Sequence, residues 1–158
     1  MSRIELLPLA TLGENKEFEP MALRATAQLR IMRGQEMKLE KINLSDKFGK
    51  LPVGDYAVGL IAKMNDYDFK IVKFKGDFVW HSHPETDETF IILEGTLVMD
   101  FRDQKVEVHA GEMIVIPKGV EHKPSSENGY KALLIEPQGV LNTGDVQNEK
   151  TIAKVEWV

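Results

Sequence analysis

The chain contains no cysteine among its 158 residues. Disulfides, thiolate metal ligands and thiol nucleophiles are excluded together. Lysine and arginine never gather into a run of five or more, and the formal charge is −5. That balance does not suit nucleic acid, whose phosphates select basic patches. Long apolar runs are missing too. Stretches such as Met113–Ile116 fall far short of the roughly 20 residues that cross a bilayer. The opening Met1-Ser2-Arg3-Ile4-Glu5 has no apolar stretch of the kind a secretory leader carries. Internal repeats and low-complexity segments are absent. What remains is a length suited to one domain, 42% hydrophobic and 28% charged. It is expected in the cytoplasm, with no nucleic-acid or membrane partner, acting on a small molecule.

The chain is rich in short alternating segments. Tyr56–Lys63, Asp68–Lys75, Phe78–His83, Thr89–Leu93, Leu97–Phe101, Val106–His109, Met113–Ile116 and Lys131–Glu136 each read as a strand. Turn signals separate them at Gly76-Asp77, Glu94-Gly95, Arg102-Asp103-Gln104, Ala110-Gly111 and Lys118-Gly119. Many short strands at this spacing indicate an all-β sandwich or barrel. Before them, Leu44–Phe48 reads as one helical turn capped by Asn43 or Ser45. Residues 1–36 form an N-terminal extension, in which Thr26–Met32 alternates as a strand and Arg33-Gly34 reads as a turn. Its Leu23, Leu29 and Ile31 need burying, so added strands packing on the barrel or on a partner are expected. The barrel occupies 37–137. A tail, 138–158, begins with a polar surface loop over Gly139–Lys150 and ends with Ile152, Val155 and Trp157, which dock on the body or on a neighbouring subunit.

The chemistry concentrates in Trp80-His81-Ser82-His83-Pro84-Glu85-Thr86-Asp87-Glu88 and in a distant histidine, His122. Two histidines one residue apart on a strand project from the same face. A carboxylate five residues later and a further histidine can converge on the same point. Three imidazoles and one carboxylate suit a divalent transition metal, with positions left for water or substrate. The neighbouring Glu85, Asp87 and Glu121 either orient the ligands from behind or are solvated loop carboxylates. His109, at a strand end with no partner motif, is expected to face solvent.

The full spacing is Gly76-x4-His81-x-His83-x4-Glu88-x6-Gly95, followed by Gly111-x5-Pro117-x-Gly119-x2-His122. These two segments resemble the two motifs of the cupin superfamily, over roughly residues 55–137. They depart from its pattern by one residue missing between Gly76 and His81, and by Ser126 where asparagine usually stands. The resemblance implies a double-stranded β-helix, a conical jelly-roll barrel of the small single-domain cupins. It also implies a metal held by His81, His83, Glu88 and His122. Homodimers are common in such proteins and are implied as well.

Along the strand that begins at Glu88, Glu88, Phe90 and Ile92 should line the interior, with Val98 or Met113 beyond them. Ile91 and Leu93 should face outward, as should Phe78 and Trp80, giving an apolar patch that marks an interface or lies under the N-terminal extension. The metal, Fe, Mn, Zn or Ni, would polarise a carbonyl or hydroxyl, acidify water or, as iron, bind dioxygen. Two function classes follow. One is a metal-dependent enzyme acting on a small sugar, keto acid or enediol-like molecule, of isomerase/lyase or dioxygenase type. The other is a non-catalytic module that binds a small ligand. Basic residues near the motifs are limited to Lys118, Lys123 and Lys131, which does not favour a phosphorylated substrate.

Overall fold

Strand alternation dominates the computed structural model, which describes residues 39–158. Residues 41–158 form one compact unit. The expected strands of the N-terminal extension lie outside the described residues. A short helix, α1 (Leu44–Phe48), comes first, and the side chain of Asn43 caps it by accepting from the Asp46 N–H. Six strands follow: β1 (Tyr56–Met64), β2 (Tyr67–Asp77), β3 (Glu88–Phe101), β4 (Lys105–His109), β5 (Met113–Ile116) and β6 (His122–Pro137). They pair in the order β1-β2-β6-β3-β4, with β5 also on β3, and every pairing is antiparallel. The all-β jelly-roll expectation therefore holds.

The inner face carries Val72 and Phe74 from β2, Phe90, Ile92, Leu97 and Met99 from β3, and Tyr130, Ala132 and Leu134 from β6. On β3 the buried positions change parity, from even up to Ile92 to odd from Leu97. The cause is a bulge, since its register against β6 slips between Ile92 and Glu94 and again between Gly95 and Val98. Glu94-Gly95, read from sequence as a turn between two strands, is thus a kink within one. Gly95 is left-handed there, and any Cβ on it would overlap the Gly129 carbonyl oxygen of β6. The same slip corrects the lining expected beyond Ile92. Val98 is half-buried on the other face and Met113 is exposed, while Leu97 and Met99 fill the interior.

The outer face of β1 and β2 is covered by α1 and by the C-terminus. Leu51, Ala57, Ile61 and Ile71 pack there with Leu44, Phe48 and Val158. The tail differs from the surface loop expected over Gly139–Lys150, because Thr143 is fully buried and the segment packs beneath the loop that carries His81 and His83. The last residues add to the edge of β1: Leu60 N–H donates to Glu156 O, and Val158 N–H donates to Leu60 O. This backbone pairing covers part of an edge that would otherwise be open. Trp157 itself stays 59% exposed.

Candidate metal centre

Phe78–His83, expected as a strand, makes only a single bridge, between His81 and His122. Upstream, Asp77 stands opposite Ser125. Four residues on one side thus answer three on the other, and the extra residue shifts the side-chain alternation. Phe78 consequently turns inward, against Tyr56, Phe74 and the His81 ring. This corrects the outward patch expected of Phe78 with Trp80. Trp80 is half-buried and carries the Arg102 guanidinium over its ring at 3.9 Å. Ile91 and Leu93 are half-buried.

Backbone pairing brings the ligand candidates together. His81 and His122 exchange both N–H···O bonds, at 3.1 and 2.9 Å, which brings their ring centroids 4.3 Å apart, tilted at 55°, across the pair. His83 keeps the inward face of its segment, with its carbonyl accepting from Gly119 N–H. Glu88 opens β3 opposite Ile116. Two ties hold these loops: Asp87 accepts from the Lys118 N–H, and Asp145 both accepts from Ser82 N–H and donates its own N–H to Ser82 O. Ser82, between the two histidines, is clamped at both of its peptide groups.

The four side chains are all buried, and one ligand atom from each lies within 4.8 Å of the others. Glu88 Oε2 is 3.3 Å from His122 Nε2 and 3.6 Å from His83 Nε2. Second partners settle the ring protons. His81 Nδ1 and His122 Nδ1 each lie 2.9 Å from a carbonyl, of Val79 and Val120. A carbonyl can only accept, so in the neutral rings Nδ1 carries the hydrogen and Nε2 presents its lone pair to the cluster. Burial, with His122 alongside, pushes His81 down to about 4, and burial also lowers His83. Neutral imidazoles are the form that binds a cation.

The cluster is short of hydrogens. Glu88 Oε2, His122 Nε2 and both ring nitrogens of His83 are buried without a hydrogen-bond partner. Buried polar atoms are rarely left so. Acceptors converging on one point fit a divalent cation, so His81, His83, Glu88 and His122 can hold a metal ion.

The flanking acids take other roles. Asp87 ties loops together, and Glu121 makes a two-pronged pair with Arg102 at 2.7 and 2.6 Å on the exposed side of Trp80. Backbone carbonyls, not these carboxylates, orient the rings of His81 and His122. His109 is exposed and apart from the cluster, beside Thr96. Residues that the sequence did not single out lie close by. Tyr56 and Asn142 line a cavity of about 30 Å³ together with His81, Glu88 and Phe90. Lys70 and Glu136, also buried, form an ion pair of 2.7 Å. No local pattern marks these residues, because their partners are far away in the chain.

The cupin domain family model matches residues 70–135. The chain is 54% identical to a cupin-2 domain containing protein from Shewanella frigidimarina, covering 61% of this chain and 94% of that one, with a TM-score of 0.59. It is 34% identical to protein NMB1881 from Neisseria meningitidis, over 63% of this chain and all of that one, with a TM-score of 0.55. An uncharacterized protein of Bacillus subtilis, YdbB, is 42% identical over 67 residues, a match spanning 42% of this chain and 59% of that protein's length. With most of two solved relatives covered at these identities, the chain belongs to the cupin family.

Proposed function

We propose that this protein is a divalent-metal-dependent enzyme acting on a small keto acid or enediol-like molecule, by isomerase/lyase or dioxygenase chemistry. The observation that carries the reading is the set of partnerless acceptors where His83, Glu88 and His122 meet, beside a cavity that also reaches His81. His81, His83, Glu88 and His122 would hold Fe, Mn, Zn or Ni, which when bound would polarise a carbonyl or hydroxyl or, as iron, support dioxygen chemistry.

The cavity wall narrows the substrate. Val72, Phe74, Phe78, Phe90, Pro124 and Leu134 make most of it apolar, and no lysine or arginine lines it. A phosphate would find no cation there, and a full sugar few partners for its hydroxyls. At about 30 Å³ the space admits roughly one or two waters, which suits the compact end of a small molecule. A cytoplasmic homodimer belongs to the same proposal. Met113 and Val115, exposed on β5, support a surface for a second copy.

The test uses protein purified without a polyhistidine tag. Its metal content is measured first, then oxygen uptake with enediols and flavonols, then turnover of small keto acids. Metal-dependent turnover in either set supports the reading. Ligand-dependent thermal shifts without turnover would replace it with a non-catalytic binding module. His83→Ala is expected to lose the metal and keep the fold by circular dichroism. Full metal occupancy in that variant removes His83 from the ligand set.

A further inference from the structure

Asn142 has no freedom to flip. The Ile152 N–H donates to its Oδ1 at 2.8 Å, and a peptide N–H can only donate. Its Nδ2 therefore faces the other way, where it donates to the Lys150 carbonyl at 2.8 Å and to the Tyr56 hydroxyl oxygen at 2.9 Å. The Lys150 carbonyl can only accept, which fixes the same orientation independently. Tyr56 is thus an acceptor toward Asn142, and its own hydroxyl hydrogen has no acceptor among the described residues.

The cavity beside the ring offers that hydrogen a partner in a bound molecule. The Tyr56 ring is held edge-on by Phe74 and Phe78, with centroids 5.6 and 5.7 Å away. Tyr56 lines the small cavity that also reaches His81 and Glu88. Burial pushes the phenol up to about 12, so it keeps its proton at neutral pH. Tyr130 lines the same cavity, and its hydroxyl also makes no hydrogen bond among the described residues.

We infer that Tyr56 is a ligand-contacting residue whose hydroxyl donates to an oxygen, carbonyl or enolate, of the molecule bound at the His81–Glu88 cluster, with Asn142 as its positioning residue. The inference rests on the metal-site reading above and deepens it. Because the acceptor side of Tyr56 is filled, the site selects a ligand atom with a lone pair and discriminates against an ammonium group at that point. Tyr56 and Asn142 both lie outside the region matched to the family model, 70–135.

The experiment titrates acetohydroxamate, a small oxygen ligand, into the metal-replete full chain by calorimetry. Wild type, Tyr56→Phe and Asn142→Asp are compared after metal analysis of each. Tyr56→Phe should keep the metal and bind the probe about tenfold more weakly, the loss of one hydrogen bond. Asn142→Asp places an acceptor where a donor stood, so it should draw the Tyr56 hydrogen away and weaken binding to a similar degree with the hydroxyl still present. Equal affinity in wild type and Tyr56→Phe overturns the inference, as does failure of metal-replete wild type to bind the probe, or loss of metal in Tyr56→Phe. Wild-type affinity in Asn142→Asp removes Asn142 as the positioning residue. A wild type unable to take up any divalent metal overturns the metal reading itself, and the inference falls with it.

Discussion

Among the described residues, two buried polar clusters differ in whether they contain a cation of their own. At the candidate metal centre, three imidazoles and Glu88 bring lone pairs together with no hydrogen between them. The second cluster joins β2 to β6. Asp68 stands opposite Glu136 in the register of the two strands, and the Lys70 ammonium sits 2.7 Å from Glu136 Oε1. Lys63 also reaches Asp68, at 3.2 Å. Lys70 and Glu136 are nearly as inaccessible as the histidines, yet a lysine supplies there the cation that the first cluster lacks, with Asp68 Oδ1 and Glu136 Oε2 left without a hydrogen bond beside it. A buried carboxylate needs a positive partner. The second cluster has one built into the chain, and the first is arranged to take one from outside.

Removing the built-in cation is the most severe way to break that contrast. Lys70→Met leaves Glu136 buried beside Asp68 without its partner, and unfolding by denaturant should show a loss of about 3–5 kcal/mol. The double variant Lys70→Met/Glu136→Leu should recover much of this, since it removes the stranded carboxylate as well. A single variant as stable as wild type would mean that the pair does not neutralise itself as described. His83→Ala gives the opposite pattern, a large loss in metal binding with a retained fold.

A smaller effect should come from the tail. Gly144 is left-handed, at φ +53°, and a Cβ there would overlap the Ser82 carbonyl oxygen and approach His83 Nδ1. Gly144→Ala must therefore displace the peptide between His81 and His83. Metal affinity should fall by roughly 10–100-fold, the range seen when groups supporting a ligand are lost. Competition against a chelator of known affinity measures it. An unchanged affinity would separate the tail from the metal centre.

These contacts explain what could be read in the sequence and what could not. Strands were legible because alternation is local, and α1 because Asn43 precedes a helical turn. The ligand candidates were legible because His81, His83 and Glu88 lie close in the chain and the motif around Pro117 and Gly119 picks out His122. Parity was not legible. Glu94-Gly95 has the composition of a turn but forms a bulge, which moves the interior lining from Val98 to Leu97 and Met99. The extra residue before His81 does the same to Phe78. Gly139–Lys150 is composed like a solvated loop, yet Asp145 and Asn142 are taken up by Ser82 and Tyr56, and Asn142 and Asn148 also bond to Lys150 within the segment. Tyr56 and Asn142 lie 86 residues apart, and nothing in either neighbourhood announces the pair.

The mildest test of the contrast is the pH dependence of stability in metal-stripped protein, where the two clusters should pull in opposite directions. Burial holds His81 down to about 4 in the fold and lowers His83, whereas the unfolded chain binds those protons near 6.5. As pH falls below 6.5 the unfolded state takes up protons that the fold refuses, so stability drops toward acid. Glu136 behaves in reverse. Burial first, then the nearby Glu88, raise its carboxyl above the usual carboxylate range, although Lys70 pulls it back. From its unfolded value near 4.3 up to its raised value in the fold, the fold holds a proton that the unfolded chain has released, so this group's contribution declines as pH rises. Glu136→Gln should steepen the loss of stability from pH 6.5 down to about 4.3, because it removes the group that opposes the histidines there, as read from chemical denaturation at a series of pH values. A slope unchanged by Glu136→Gln would leave Glu136 out of the response and the two clusters without that contrast.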